Sequence, residues 1–154
     1  MKSIAIAGLL AAAVAAPAAF APGEAAAQDR TITLGFAGLM DRRNRVTLPP
    51  INLSVGKPLA DAPIELVSGG YYQIEINADG TGELAIGGAS FFRNIWINEV
   101  VINDLEVRPI GLDSFEFDAA GTIEMSFIAI RPGQYEMRIP GTSGDTQKVD
   151  IIIR

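Results

Sequence analysis

The sequence predicts an all-β fold, a single Greek-key β-sandwich. Three observations point there. Apolar–polar alternation of the strand type recurs along the chain, as in residues 31–36, 71–76 and 135–139. Gly, Pro, Asn or Asp interrupt these runs roughly every ten residues, the spacing of sandwich strands. After the N-terminal stretch no useful length of apolar residues falls at helical spacing, which argues against helices alternating with a parallel sheet.

Taken in order, residues 31–36 alternate and predict a first strand. Residues 37–50 predict a loop, with Arg42, Arg43 and Arg45 in it and Pro49-Pro50 at its end. Residues 51–55 and 63–67 are short strands, ended by Gly56-Lys57-Pro58 and Ser68-Gly69-Gly70. In 71–76, Tyr72, Ile74 and Ile76 share one face. Residues 77–82 form a turn and 83–86 a strand. The β-branched and aromatic content of 91–99 predicts a strand that runs on to Ile102. Asn103-Asp104 fits a two-residue hairpin turn into 105–107. Residues 115–117 and 122–130 are strands around the turn 118–121. Pro132-Gly133 forces a corner, because Pro fixes φ and Gly admits positive φ. Strands at 135–139 and 148–153 complete the sandwich, with a Gly-rich loop between them.

The N-terminus reads differently. Lys2 is followed by an apolar, Ala-rich run over residues 4–14 and by two Ala-x-Ala sites at 19–21 and 25–27. This is the layout of a secretory signal. Cleavage after Ala21 would leave Pro22 first, so cleavage after Ala27 is expected, giving a domain of residues 28–154. The alternative is an uncleaved anchor; the run is short for a bilayer span and broken by Pro17. A periplasmic or secreted location follows as an expectation. With no Cys, no disulfide can brace the fold there. The formal charge of −6 argues against non-specific binding to nucleic acid or anionic membrane.

Two stretches resemble cupredoxins, the plastocyanin and azurin type of domain. One is Ile130-Arg131-Pro132-Gly133-Gln134-Tyr135-Glu136-Met137-Arg138-Ile139, similar to the corner that leads to the copper-binding cysteine. The other is Pro63-Ile64-Glu65-Leu66-Val67 with Tyr71-Tyr72-Gln73-Ile74-Glu75-Ile76, similar to the opening strands of that sandwich. The resemblance implies where copper ligands would fall. The cysteine place is near Ile139, the second histidine and Met in the loop Pro140-Gly141-Thr142-Ser143-Gly144, and the first histidine between Asn98 and Asn103. None of these is imidazole or thiolate, and the chain has no His and no Cys anywhere. A blue-copper centre needs both ligand types. Met125 and Met137 lie in alternating strands and read as core. The expectation is a domain of this fold without cofactor; degenerate metal handling or electron transfer is the alternative.

Other chemistry is thin. Asn77, Asp79, Thr81 and Glu83 follow the start of an EF-hand loop, with Gly80 inside. The place of the bidentate Glu is Gly88, and the flanks read as strands. Ser-His-Asp and Cys-His catalysis are excluded by composition. The carboxylates Asp113, Glu116 and Asp118, or Glu99, Asp104 and Glu106, read as solvated strand edges and turns, so no enzyme is expected. For partner binding the candidates are Phe91, Phe92, Arg93 and Trp96, where Trp and Arg are types favoured at interfaces. The other reading turns alternate residues into the core, Trp96 with Val100 and Ile102 or Ile95 with Ile97, leaving one of Phe91 and Phe92 outside. The Arg42, Arg43 and Arg45 patch is the second candidate. The expected partner is a periplasmic protein or one at the outer face of the inner membrane; the cupredoxin resemblance implies an electron-transfer or membrane complex.

Overall fold

The computed structural model describes residues 31–154. The expected signal segment and its cleavage point lie outside the described residues. Two sheets face one another. The first has six strands: β1 (Arg45–Thr47), β2 (Ile51–Leu53), β4 (Tyr71–Ala78), β6 (Ile95–Ile102), β7 (Leu105–Val107) and β9 (Gly121–Ala129). Its order is β1-β4-β9-β6-β7, and β2 also pairs with β4. β1 and β2 both run parallel to β4, one after the other along the same edge. Pro49 and Pro50 separate them; neither has an N–H to give to a ladder.

The second sheet contains β3 (Ile64–Leu66), β5 (Leu84–Gly87), β8 (Ser114–Phe117), β10 (Gly133–Arg138) and β11 (Lys148–Ile153), in the order β3-β11-β10-β5-β8. The C-terminal β11 is thus an inner strand, parallel to β3 and antiparallel to β10.

The core lies between the sheets. Alternation sends Tyr72, Ile74 and Ile76 of β4, Ile123, Met125 and Phe127 of β9, and Val149, Ile151 and Ile153 of β11 into it. Met125 and Met137 are fully buried, as their strand positions imply. Asn103 and Asp104, with φ of 47° and 65°, make the β6–β7 turn in the left-handed geometry of two-residue hairpins. At the corner before β10 the Tyr135 hydroxyl donates to the Arg131 carbonyl at 2.9 Å and ties the bend.

Three segments depart from the sequence expectation. Residues 31–36 form no strand; only an isolated bridge joins Gly35 and Gly38. The alternation there has no partner strand, and Leu34 and Phe36 point to solvent. Conversely, Arg45–Thr47, read as loop, is β1. Residues 91 and 92 are not strand either: Ala89–Phe92 is one helical turn, α1. It carries the chain from β5 in one sheet to β6 in the other. Gly88 precedes it where a Cβ would lie 2.8 Å from the Met137 side chain, so the turn enters the core closely.

Candidate functional site

The helical turn decides the fate of the aromatic candidates. Phe91 and Phe92 both face inward and are buried. The ring of Phe91 meets Phe127 edge-on at 5.5 Å, and Phe92 meets Phe115 at 6.0 Å in the same manner. This corrects their assignment to a partner surface: they are core residues. A strand would have put adjacent residues on opposite faces; a helical turn leading into a corner does not. Arg93 and Trp96 remain outside, Arg93 exposed and Trp96 with 49% of its surface in solvent.

Trp96 stands on the outward face of the six-stranded sheet. Its register partner is Ile128, whose partner on the other side is Tyr71, which in turn pairs with Arg45. Paired residues project to the same face. Arg45, Tyr71, Ile128 and Trp96 therefore form one row across four strands. Tyr71 and Ile128 are buried yet stand apart from the core cluster, as outward residues must. The structure thus puts two candidates distant in sequence, Arg45 and Trp96, at the two ends of one row.

The next row is polar. It comprises Thr47, Gln73, Ser126 and Glu99. Asn98 is the extra residue of a bulge between Ile97 and Glu99. Its side-chain amide donates to Ser126 Oγ at 3.0 Å and to Tyr71 Oη at 3.3 Å. Arg108 donates to Asn98 Oδ1 at 3.2 Å and pairs with Glu99 at 3.2 Å. Gln73 is buried beside this network, but its Oε1 has no hydrogen-bond partner. The row after that is acidic, with Glu75, Glu124 and Glu106 around Val101.

The first row lies at one end of the sandwich. β4 and β6 begin there, and β9 ends there. The Asn94 carbonyl accepts the amides of Ile130 and Arg131 and brings the post-β9 corner beside Arg93. Arg42 and Arg43 lie in the turn that feeds β1. Among the described residues, Arg43, Arg108, Arg138, Lys148 and Arg154 each make an ion pair. Arg42, Arg45, Arg93 and Arg131 do not, and all four belong to this end; Lys57, also without an ion pair, lies near Asp79 at the other end. The opposite end carries Asp79, Asp104 and Asp118 in its turns. An acidic chain thus presents a cationic end.

Within the arginine turn, Asp41 caps the backbone and binds the Arg43 guanidinium at 2.9 and 2.8 Å. The Arg43 side chain, then its amide, pulls the Asp41 carboxyl down to about 2. Asp41 thereby compensates Arg43 and leaves Arg42 and Arg45 unpaired.

The calcium-type candidates are spent on structure. Asn77 Oδ1 accepts from Thr122 Oγ1 at 2.8 Å. Asp79 Oδ1 accepts from the Thr81 hydroxyl at 2.6 Å and its amide at 3.0 Å, an Asx-type turn. Thr81 Oγ1 accepts from the Val55 amide at 3.0 Å. The Asp79 carboxyl is lowered to about 2, by the Ser54 hydroxyl first and then by Thr81. The Ser54 hydroxyl is buried and makes no hydrogen bond of good geometry, so the Thr81 bonds define the turn. Glu83 is exposed beyond it. These oxygens close the β4–β5 connection and do not converge on a cation.

Copper fares no better. Asn98 is engaged by Tyr71, Ser126 and Arg108, while Asn103 is in the hairpin turn at the far end of β6. Ile139 packs against the core just after β10. Arg138 reaches into the following loop and donates to the Thr142 and Gly144 carbonyls. The donor set holds neither imidazole nor thiolate and does not fit a blue-copper centre. Among the described residues no three Asp or Glu gather as metal ligands could. A groove of about 390 Å³ opens beside β2 and β3, lined by Pro49, Pro50, Pro58 and Pro63 with Asp61 and Glu65 at its wall. Glu65 is held by Arg154 at 3.0 Å.

No family model and no curated protein matches the sequence. Solved structures do. A multicopper oxidase from Pseudomonas thermotolerans is 14% identical over 74% of this chain and 31% of its own, with a TM-score of 0.54. A copper nitrite reductase from Nitrosomonas europaea is 15% identical over 62% of this chain and 33% of its own, TM-score 0.49. Auracyanin B is 13% identical over 71% of this chain and 88% of its own, TM-score 0.44. The chain spans about a third of the oxidase's length. At this identity the likeness to the oxidase concerns fold alone. The fold is a cupredoxin-like β-sandwich, as the corner and the Tyr-Tyr strand imply.

Proposed function

We propose that residues 28–154 are a metal-free binding module of the periplasm that docks an acidic surface of a partner protein. The observation that carries this reading is the cationic end. Four arginines without ion pairs and a half-exposed Trp96 lie at the same end of a chain of net charge −6. Arg and Trp are residue types that interfaces favour, and here both are available at one end. Complementary charge would steer the partner to this end, and the acidic far end would repel the wrong approach.

The compartment follows from the N-terminal run and its Ala-x-Ala sites. No described helix is long and apolar enough to cross a membrane. A multicopper oxidase contains a region of the same fold. That supports a periplasm-facing electron-transfer or membrane complex as the class of partner. The module itself contributes contact rather than redox chemistry.

Crosslinking in whole cells, followed by recovery of the protein and mass spectrometry, tests this. A partner recovered with the wild type should be lost, or recovered about tenfold less, with Trp96→Ala or Arg93→Ala. Asp118→Asn, at the other end, should leave recovery unchanged. Equal recovery of the same partner by all of these proteins rejects the surface.

A further inference from the structure

The loop at residues 33–44 makes no contribution to the core, yet it is built with care. Asn44 holds it from inside. Its Oδ1 accepts the Thr33 amide at 2.8 Å, and its Nδ2 donates to the carbonyls of Thr33 at 3.0 Å and Leu39 at 3.2 Å. A bridge between Gly35 and Gly38, with Gly38 at a φ of +58°, bends the tip. The outcome is a preformed turn that pushes its apolar residues outward. Phe36 is fully exposed and Leu34 is 74% exposed. Arg42 and Arg43 follow in the same loop.

We infer that this loop seats the protein on an anionic lipid surface. The chemistry is that of an interfacial contact. A convex apolar tip enters the boundary between headgroups and acyl chains, while guanidiniums behind it meet phosphates. Charge complementarity selects the anionic bilayer. Arg42 has no ion pair among the described residues, and Arg45, Arg93 and Arg131 stand at the same end of the sandwich. The net negative charge of the chain does not prevent this. Charges more than about 8 Å apart are largely screened at physiological salt, and Asp79, Asp104 and Asp118 occupy the opposite end. The inference shares the cationic end with the proposed protein docking but rests on Leu34, Phe36 and Arg42, which that docking does not require, and it would place docking through Trp96 and Arg93 beside a membrane.

The test uses protein recovered from the secreting cell, with whatever part of residues 1–30 it retains. It is sedimented with vesicles of phosphatidylcholine alone, and with vesicles of equal parts phosphatidylcholine and phosphatidylglycerol. Binding to the mixed vesicles, and its loss in high salt, is the expected result. The double variant Leu34→Ser/Phe36→Ser should bind about tenfold more weakly. Arg42→Gln, which leaves the Asp41–Arg43 pair intact, should lose about fivefold on the anionic vesicles only. Leu34, Phe36 and Arg42 lie outside the core and outside the Asp41–Arg43 pair, so unchanged thermal unfolding should accompany the loss. Trp96→Ala should sediment like the wild type. Equal binding to both vesicle types, binding that the loop variants leave intact, or no binding at all overturns the inference. In the last case a photo-crosslinker at position 36 that captured a protein would identify a protein pocket as the loop's occupant.

Discussion

Trp96 and Ile128 face each other directly across β6 and β9, on the side of the sheet that looks away from the core. One is half exposed and the other buried. The indole therefore serves as the outer cover of a small apolar row that also includes Tyr71. That arrangement separates the cost of losing Trp96 from the cost of losing a true core ring.

Trp96→Ala should reduce stability by about 1 kcal/mol, because half of the ring is already in water. Phe91→Ala should cost about 3–5 kcal/mol, since that ring is fully enclosed against Phe127. Urea unfolding of the two variants measures the difference. Equal losses would mean that Trp96 is a core residue and not a surface anchor.

Gln73 offers an unusual gain. Its Oε1 is buried without a partner next to a network that is otherwise satisfied. Replacement by Met keeps the shape and removes the stranded acceptor. Gln73→Met should raise stability by about 1 kcal/mol, read from the midpoint of chemical denaturation. Destabilisation would show that the oxygen has a donor in solution.

Acid should be the only mild condition that weakens the fold. Asp41 and Asp79 have carboxyls held near 2 by Arg43 and by Ser54 with Thr81. A depressed carboxylate pKa stabilises the native state above its unfolded value of 3.8, and that contribution disappears as pH falls through about 2. Without histidine, no side chain ordinarily titrates between about pH 5 and 8. Thermal midpoints should stay level across that range and decline below about pH 4. A marked slope near neutrality would contradict this accounting.

Calorimetric titration with Cu(I), Cu(II) or Ca²⁺ should show no saturable heat. The oxygens of Asn77 and Asp79 are already engaged by Thr122 and Thr81, and thiolate and imidazole are absent from the chain. One-to-one micromolar binding of any of the three would restore metal handling as a function.

The sandwich was legible in the sequence because most strands have one buried face, and alternation records that directly. In Tyr71–Ala78 and Lys148–Ile153 the inward residues fall at every second position. The crossing at Phe91 and Phe92 was not legible. Two adjacent aromatics raise strand propensity, whereas the need to pass between sheets is set by distant pairing. Residues 31–36 show the converse, a strand-like pattern with nothing to pair against. The cationic end was legible only in pieces. Arg42, Arg45, Arg93 and Arg131 are spread over ninety positions, and only the register of β1, β4, β9 and β6 brings them to one end. The Arg-Val-Thr alternation of β1 was the available clue, masked by the charge around it.

The position of the last strand has a temporal consequence. β11 sits between β3 and β10, so two strands of one sheet await residues 148–153, and Ile64 must find Ile151 across most of the domain. Contacts this distant in sequence form slowly and offer little reward to a partial chain. The six-stranded sheet has all its strands before residue 130, whereas β3 gains its partner only when residues 148–153 pair, so the five-stranded sheet is the later of the two to close.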